Sequence, residues 1–193
     1  MKTAMKSPDK QMKKRLRKGE ASAFAELYDL LGDKIYRYIY SQLGNAQDTS
    51  DVLQDVFVQL VKSHRSLAAA KNLNGYVFRT ARNEVIRWRK KQKRHEHSDQ
   101  QKRTLQTKPV DSAEISIDGS EWVSNILQGL DPVDREIVAL KAISKLTFPE
   151  IADVTGIQQS NIASRYRRSM LKLKKQLSSD QPDTENSNRI TNQ

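Results

Sequence analysis

Cysteine is absent from all 193 residues, so no disulfide can staple the chain and no thiolate can hold a metal. That suits a reducing compartment, and a cytoplasmic location is expected. Seven glycines and five prolines are few, which favours helices over a turn-rich β fold. No apolar run is long enough to span a bilayer. The first stretch, MKTAMKSPDKQMKKRLRKGE, is basic with no apolar segment behind it, so it does not read as a secretory signal. Apolar residues are 36% and charged residues 30%, which leaves room only for small cores under a large polar surface. Acids are also in deficit: 34 lysines and arginines face 23 of them, for a net charge of +11. Such an excess favours a polyanionic partner, either nucleic acid or an anionic membrane. The membrane-surface alternative lacks large apolar anchors beside the basic N-terminal residues.

Catalytic chemistry has little to stand on. There is no glycine-rich phosphate loop and no nucleophile motif. His95-Glu96-His97 offers two imidazoles in a polar stretch without a third placed ligand, and His64 is remote; a metal site needs three or four. No metal, no cofactor and no enzyme activity are expected.

What is present is helical periodicity. Phe24, Leu27, Tyr28, Leu31, Ile35, Ile39 and Leu43 recur at steps of three and four, predicting an amphipathic helix that stops at Gly44-Asn45. In DVLQDVFVQLV, the residues Val52, Leu53, Val56, Phe57, Leu60 and Val61 form one stripe. A third helix is predicted from near Asn72, with Leu73, Val77, Ala81, Val85 and Trp88 on its apolar side. Residues 95–119 are polar, contain Pro109 and cannot bury enough surface to offset their ordering entropy; they read as a linker, within which Ile115 and Ile117 could dock elsewhere on the protein. Helical spacing resumes at Trp122, Ile126 and Leu130, and VDREIVALKAI turns Ile137, Leu140 and Ile143 inward. Thr147 and Glu150 in TFPEIADV form a T-x-x-E capping box. Pro149 sits in the first turn, where a missing N–H does no harm, and Gly156 can end the helix in a left-handed conformation. Another helix starts near Gln158. The expected fold is therefore all-α: two small helical domains, 1–94 and 120–178, joined by a flexible linker at 95–119 and followed by a tail at 179–193. The C-terminal domain is a helix-turn-helix.

Its last helix is ordered in an informative way. Ile162, Tyr166, Ser169 and Leu173 share one side at 100° per residue. Ser160, Ser164, Arg167 and Arg168 lie opposite, with Asn161 and Arg165 at the flank. Short polar groups let a helix approach base edges, and arginines further along reach guanines or phosphates. The alternative is a solvated basic face, which the capped helix and glycine turn in front of it disfavour.

The N-terminal block adds two more faces. Asp48, Asp51 and Asp55 lie together opposite the apolar stripe, with Gln54 beside them. An acidic face on a basic protein suits a basic protein partner; solubility and the helix dipole at Asp48 and Asp51 are the plainer explanation. Residues 79–94 carry Arg79, Arg82, Arg87, Arg89, Lys90, Lys91, Lys93 and Arg94 against Glu84 alone, and the same helix also holds Tyr76, Phe78, Asn83 and Trp88. Like charges in that density repel unless an anion collects them. Aromatics and amides among them suit single-stranded or distorted DNA, although Tyr76 and Trp88 read better as packing residues.

These segments in this order resemble the bacterial sigma factors of the sigma-70 family, specifically the compact extracytoplasmic-function (ECF) group. GEASAFAELYDLLGDKIYRYI is similar to the start of that family's second conserved region, and DVLQDVFVQL to its polymerase-docking segment. LNGYVFRTARNEVIRWRKK resembles the segment that opens and reads the −10 element. LDPVDREIVALKAISKLTFPEIADVTGIQQSNIASRYRR resembles the fourth region, which reads the −35 element. The resemblance implies that Asp48, Asp51, Gln54, Asp55 and Phe57 dock on the clamp helices of the RNA polymerase β′ subunit. It implies that the loop from Leu67 to Asn72 captures a flipped base, with Arg79, Arg82, Asn83 and Arg87 on the following helix serving −10 DNA. Ser160, Asn161, Ser164, Arg165, Arg167 and Arg168 would meet −35 DNA. Core polymerase and promoter DNA are the implied partners, and an anti-sigma factor is a further one the resemblance allows. Departures from the family pattern are Tyr76 for a common Trp, Ala163 for a common basic residue and Ser160-Asn161 for a frequent Gly-Thr. The competing reading is a stand-alone helix-turn-helix regulator of duplex operators, which leaves the acidic face beside a cationic helix unexplained.

Overall fold

The computed structural model describes residues 10–99 and 126–179. Among them there is no strand. The N-terminal block is built on α2 (Ala21–Leu43), α3 (Ala46–Lys62) and α5 (Leu73–Asp99). Helix α2 ends where Gly44 takes a left-handed φ of 71° and returns its N–H to the Tyr40 carbonyl, a geometry that glycine adopts without strain. Asn45 then caps α3 by accepting from the Asp48 N–H at 2.9 Å. Asn72 does the same for α5, accepting from the Gly75 N–H at 3.1 Å.

Two helices went unread in the sequence. The short α4 (His64–Ala69) follows α3 after Ser63, and α1 (Lys10–Lys18) lies against it. Met12 and Leu16 are buried in that contact, Lys13 donates to the Ala70 carbonyl at 2.7 Å, and the His64 ring meets the Arg17 carbonyl at 3.2 Å.

In the C-terminal block, residues 126–128 are helical. Asp131 caps α6 (Pro132–Ala142) through the Val133 N–H. The capping box is formed as predicted: Thr147 accepts from the Glu150 N–H and Glu150 accepts from the Thr147 N–H, opening α7 (Phe148–Thr155). Gly156, at φ 76°, ends it, and α8 (Gln159–Ser179) completes the helix-turn-helix.

The predicted core is largely the observed one, with instructive exceptions. Tyr28 and Val61, expected inside, are 51% and 48% exposed. Tyr38, off the predicted stripe, is fully buried. Helix α5 continues to Asp99, past the expected boundary at residue 94. The rest of the linker, the tail from 180, and Ile115, Ile117 and Trp122 lie outside the described residues. The two blocks are packed together: α2 lies on α6 and α5 on α7, and one apolar core runs from Met12 through Val77 to Ile137, Leu140, Ile151 and Ile162.

Candidate functional site

The acidic ridge forms as its spacing predicts. Asp51, Gln54 and Asp55 are exposed along α3, and Asp48 is half-buried at its start. Burial, and then the neighbouring Asp51, raises the Asp48 carboxyl above its ordinary pKa; two crowded carboxylates are relieved by an arriving cation. Beside this ridge an open groove of about 1100 Å³ runs between α2 and α3, lined by Phe24, Tyr28, Phe57, Val58 and Val61. Asp29, Asp33 and Asp51 also line it. The Tyr28 and Phe57 rings sit 5.0 Å apart, tilted by 55°. Sequence reasoning found Phe57 and missed Tyr28, Val58 and Val61 as surface. The available signal was that the apolar positions of α3, with Val58 added, wrap more of the helix than one core contact covers.

The cationic helix α5 is more engaged than its pattern suggests. Leu67 is fully buried in the core, so its side chain, expected at the loop that meets DNA, is an anchor, whereas Lys71 in the same loop is exposed. Asn72 donates from Nδ2 to Glu150 Oε1 at 2.6 Å. Arg79 donates to the Asp153 carbonyl at 2.7 Å. Arg82 Nε donates to Glu136 Oε1 at 2.8 Å, and the Tyr38 hydroxyl donates to the same oxygen at 3.0 Å. Burial, then Glu136, raises the Tyr38 phenol well above its ordinary pKa, so it stays a donor. Asn83 is exposed. Tyr76 and Trp88 pack half-buried against the core, as the packing reading expects.

Arg87 is bound within its own helix, donating to both oxygens of Glu84 at 2.7 and 2.9 Å. Glu84 is buried, and desolvation raises its pKa although Arg87 opposes the shift. An acid whose folded pKa lies above its unfolded value takes up a proton on folding, so it opposes stability as pH rises through that window. Glu84→Gln is therefore expected to gain stability relative to the unsubstituted chain as pH climbs above about 4.3, the ordinary glutamate value, and to hold that gain at higher pH. Urea unfolding of both proteins across pH 4–8 measures the difference.

On α8, Ile162, Ser169 and Leu173 are buried and Tyr166 is half-buried against Phe148, 5.6 Å between ring centres. Ser160, Asn161, Ser164, Arg167 and Arg168 are exposed. Arg165 is turned back to Asp134 at 2.6 Å, with Asp131 at 3.8 Å; it braces the helix on α6 and does not stand free with the others. No group of three or more histidine, aspartate or glutamate side chains placed to hold a metal occurs among the described residues. No helix among them is long and apolar enough to cross a membrane. The side chains of His95 and His97 lie outside the described residues.

Comparison with known proteins matches the chain to one family. The family model for Sigma-70 region 2 covers residues 27–95, and that for Sigma-70 region 4 covers 120–173. The chain is 27% identical over 175 residues to the ECF sigma factor SigW of Bacillus subtilis, covering 85% of this chain and 94% of SigW. It is 25% identical over 150 residues to SigM of the same organism, covering 77% and 91% respectively. Among solved structures, CnrH in complex with the cytosolic domain of CnrY shares the fold at a TM-score of 0.67 and 23% identity, over 90% of this chain and 99% of that one. RpoE of Bartonella quintana, solved with the anti-sigma factor NepR, shares it at a TM-score of 0.66 and 19% identity, over 83% and 100%. The two region matches together span well over half of the sequence, and the chain belongs to the sigma-70 family, in its extracytoplasmic-function group, whose members bind core RNA polymerase and direct it to promoters.

Proposed function

We propose that this sigma factor divides its work among three faces. The groove of Tyr28, Phe57, Val58 and Val61, with Asp48, Asp51, Gln54 and Asp55 along its ridge, docks on the β′ clamp helices. The loop ending at Asn72 and the α5 residues Arg79, Arg82, Asn83 and Arg87 serve the −10 strand. Ser160, Asn161, Ser164, Arg167 and Arg168 read the −35 duplex, with Arg165 in support. The observation that carries this reading is an acid-edged apolar groove on a domain that bears a dense cationic helix. A duplex repressor has no use for that pairing, whereas a basic amphipathic partner and DNA engage one side each. The chain itself catalyses no reaction and works in the cytoplasm. An anti-sigma factor is a further partner of this reading.

Mixing the chain with sigma-free core polymerase and a randomised promoter library tests it. Stoichiometric co-elution and initiation from a selected subset of promoters are expected. A chain that ignores core and binds duplex DNA alone is a generic regulator instead.

Arg168→Ala is expected to weaken −35 binding by about 1–3 kcal/mol if its guanidinium makes a bidentate base contact, and to relax preference at one position. An equal loss on every −35 variant reassigns Arg168 to a phosphate.

A further inference from the structure

Helix α1 has no part in the three faces assigned above, yet it is tied to the loop at 67–72. Its sequence, KQMKKRLRK, holds no acid. Lys10, Lys14 and Lys18 stand four apart, as do Lys13 and Arg17, so like-charge repulsion opposes a helix already too short to be stable alone. Contacts hold it instead. Met12 and Leu16 are buried in the core. Arg15 donates to Glu26 at 2.7 Å and to Ser22 at 3.0 Å, both on α2, and the His64 ring of α4 meets the Arg17 carbonyl at 3.2 Å. From this clamped helix, half-buried Lys13 reaches across to the Ala70 carbonyl, donating from Nζ at 2.7 Å. Ala70 lies inside the loop that ends at Asn72. Leu67 fixes one end of that loop in the core, and Asn72 fixes the other by accepting from the Gly75 N–H at 3.1 Å. The Ala70 N–H donates to the Leu67 carbonyl at 3.2 Å. With Lys13 on its carbonyl, Ala70 therefore has both backbone groups engaged, while Ala69 and Lys71 on either side of it stay exposed.

We propose that Lys13 is a positioning residue for base capture: its ammonium fixes the Ala70 carbonyl and so sets the shape of the 67–72 loop that receives the flipped base. A loop held at both ends and in the middle, with exposed residues between, is preorganised. The ordering entropy that a flexible loop loses on binding has here been lost in folding. A flipped base is read by hydrogen bonds along its edge, and a supporting shell loose by about 1 Å is enough to misalign them. Without the ammonium, the Ala70 carbonyl loses a charge-assisted partner, and the loop gains conformers that fit no one base better than another. Selectivity then falls, while the phosphate contacts that supply sequence-independent affinity are untouched. The proposal rests on the assignment of the 67–72 loop to base capture.

The test uses holoenzyme, the full chain bound to core polymerase. The probe is a fluorescent single DNA strand carrying the −10 element of a promoter selected from the randomised library, together with its single-base variants, read by anisotropy. Lys13→Met removes the ammonium and keeps an apolar stem, whereas Lys13→Arg keeps a cationic donor. Lys14→Met is the charge control, since Lys14 is exposed at the next position of α1. Ala69→Gly, Ala70→Gly and Lys71→Gly together loosen the loop itself. Lys13→Met is expected to lower the base preference at one position of the element about tenfold, the effect of one hydrogen bond to a charged group. Its binding to strands that lack the favoured base is expected to be unchanged. Lys13→Arg and Lys14→Met are expected to keep the preference and the glycine loop to lose it, with equal helix content by circular dichroism throughout. A Lys13→Met loss spread equally over every strand overturns the positioning role and makes Lys13 a phosphate contact. An equal loss of preference in Lys14→Met overturns it in favour of net charge. Preference kept by Lys13→Met but lost with the glycine loop overturns it too, because the loop then reads its base unaided. Preference kept by both removes the base-capture assignment of the loop, and the positioning role with it.

Discussion

Reversing Asp51 and Asp55 to arginine together is expected to weaken association with sigma-free core polymerase by at least about a hundredfold. Both carboxylates are exposed on α3, and Asp51 lines the apolar groove. Like charges brought face to face across an interface cost several kcal/mol, and a hundredfold corresponds to about 2.7 kcal/mol. The fold should not suffer. Arginine is a better helix former than aspartate, and Asp55 is one of the charges that raise the Glu84 carboxyl, so removing it eases a buried acid. Unchanged circular dichroism with weakened co-elution is the expected pair of results. Association at full strength would strip α3 of its docking role.

Much of this architecture was legible because local chemistry and tertiary structure agree. Gly44, Thr147, Glu150 and Gly156 each terminate or cap a helix in the manner their residue types favour, and Ile162, Tyr166 and Leu173 turn inward as their spacing requires. Periodicity identifies an apolar stripe, but it cannot tell a stripe that meets the protein's own core from one that waits for a partner. Tyr28 and Val61 failed on that distinction, and both line the groove. Tyr38 failed in the opposite sense. A tyrosine flanked by Arg37 and Ile39 reads as a boundary residue until a second domain covers it and offers Glu136.

The same limit applies to the cationic faces. Charge density marked α5 and α8 correctly as basic, yet it could not say which cations are spoken for. Arg165 is consumed by Asp134, Arg87 by Glu84 within one helical turn, and Arg82 by an acid 54 positions away. A pair within one turn is readable from spacing; a pair across domains is not. Helix α1 was missed for a related reason. It has few apolar residues, and Met12 and Leu16 gain their meaning only from α4, which is itself too short to show a period.

Phe78→Ala is expected to be the most damaging single change, lowering stability by about 3–5 kcal/mol. The ring is fully buried and meets Tyr38 edge-on, 5.7 Å between centres at 89°, a geometry that adds to simple burial. Since small domains hold only about 5–15 kcal/mol in total, that loss should lower the thermal midpoint on the order of 15 °C. It also removes the wall against which Tyr38 is held, and Tyr38 carries the hydroxyl that reaches Glu136. Phe78→Ala should therefore loosen the two domains from each other before either unfolds, seen as expansion in X-ray scattering below the thermal transition. Phe78 does not line the α2–α3 groove, so core polymerase affinity measured well below the midpoint should be retained. Loss of core binding while helix content remains full would mean that packing beneath α5 and the shape of the docking groove are coupled, and that the three faces are not mechanically separate.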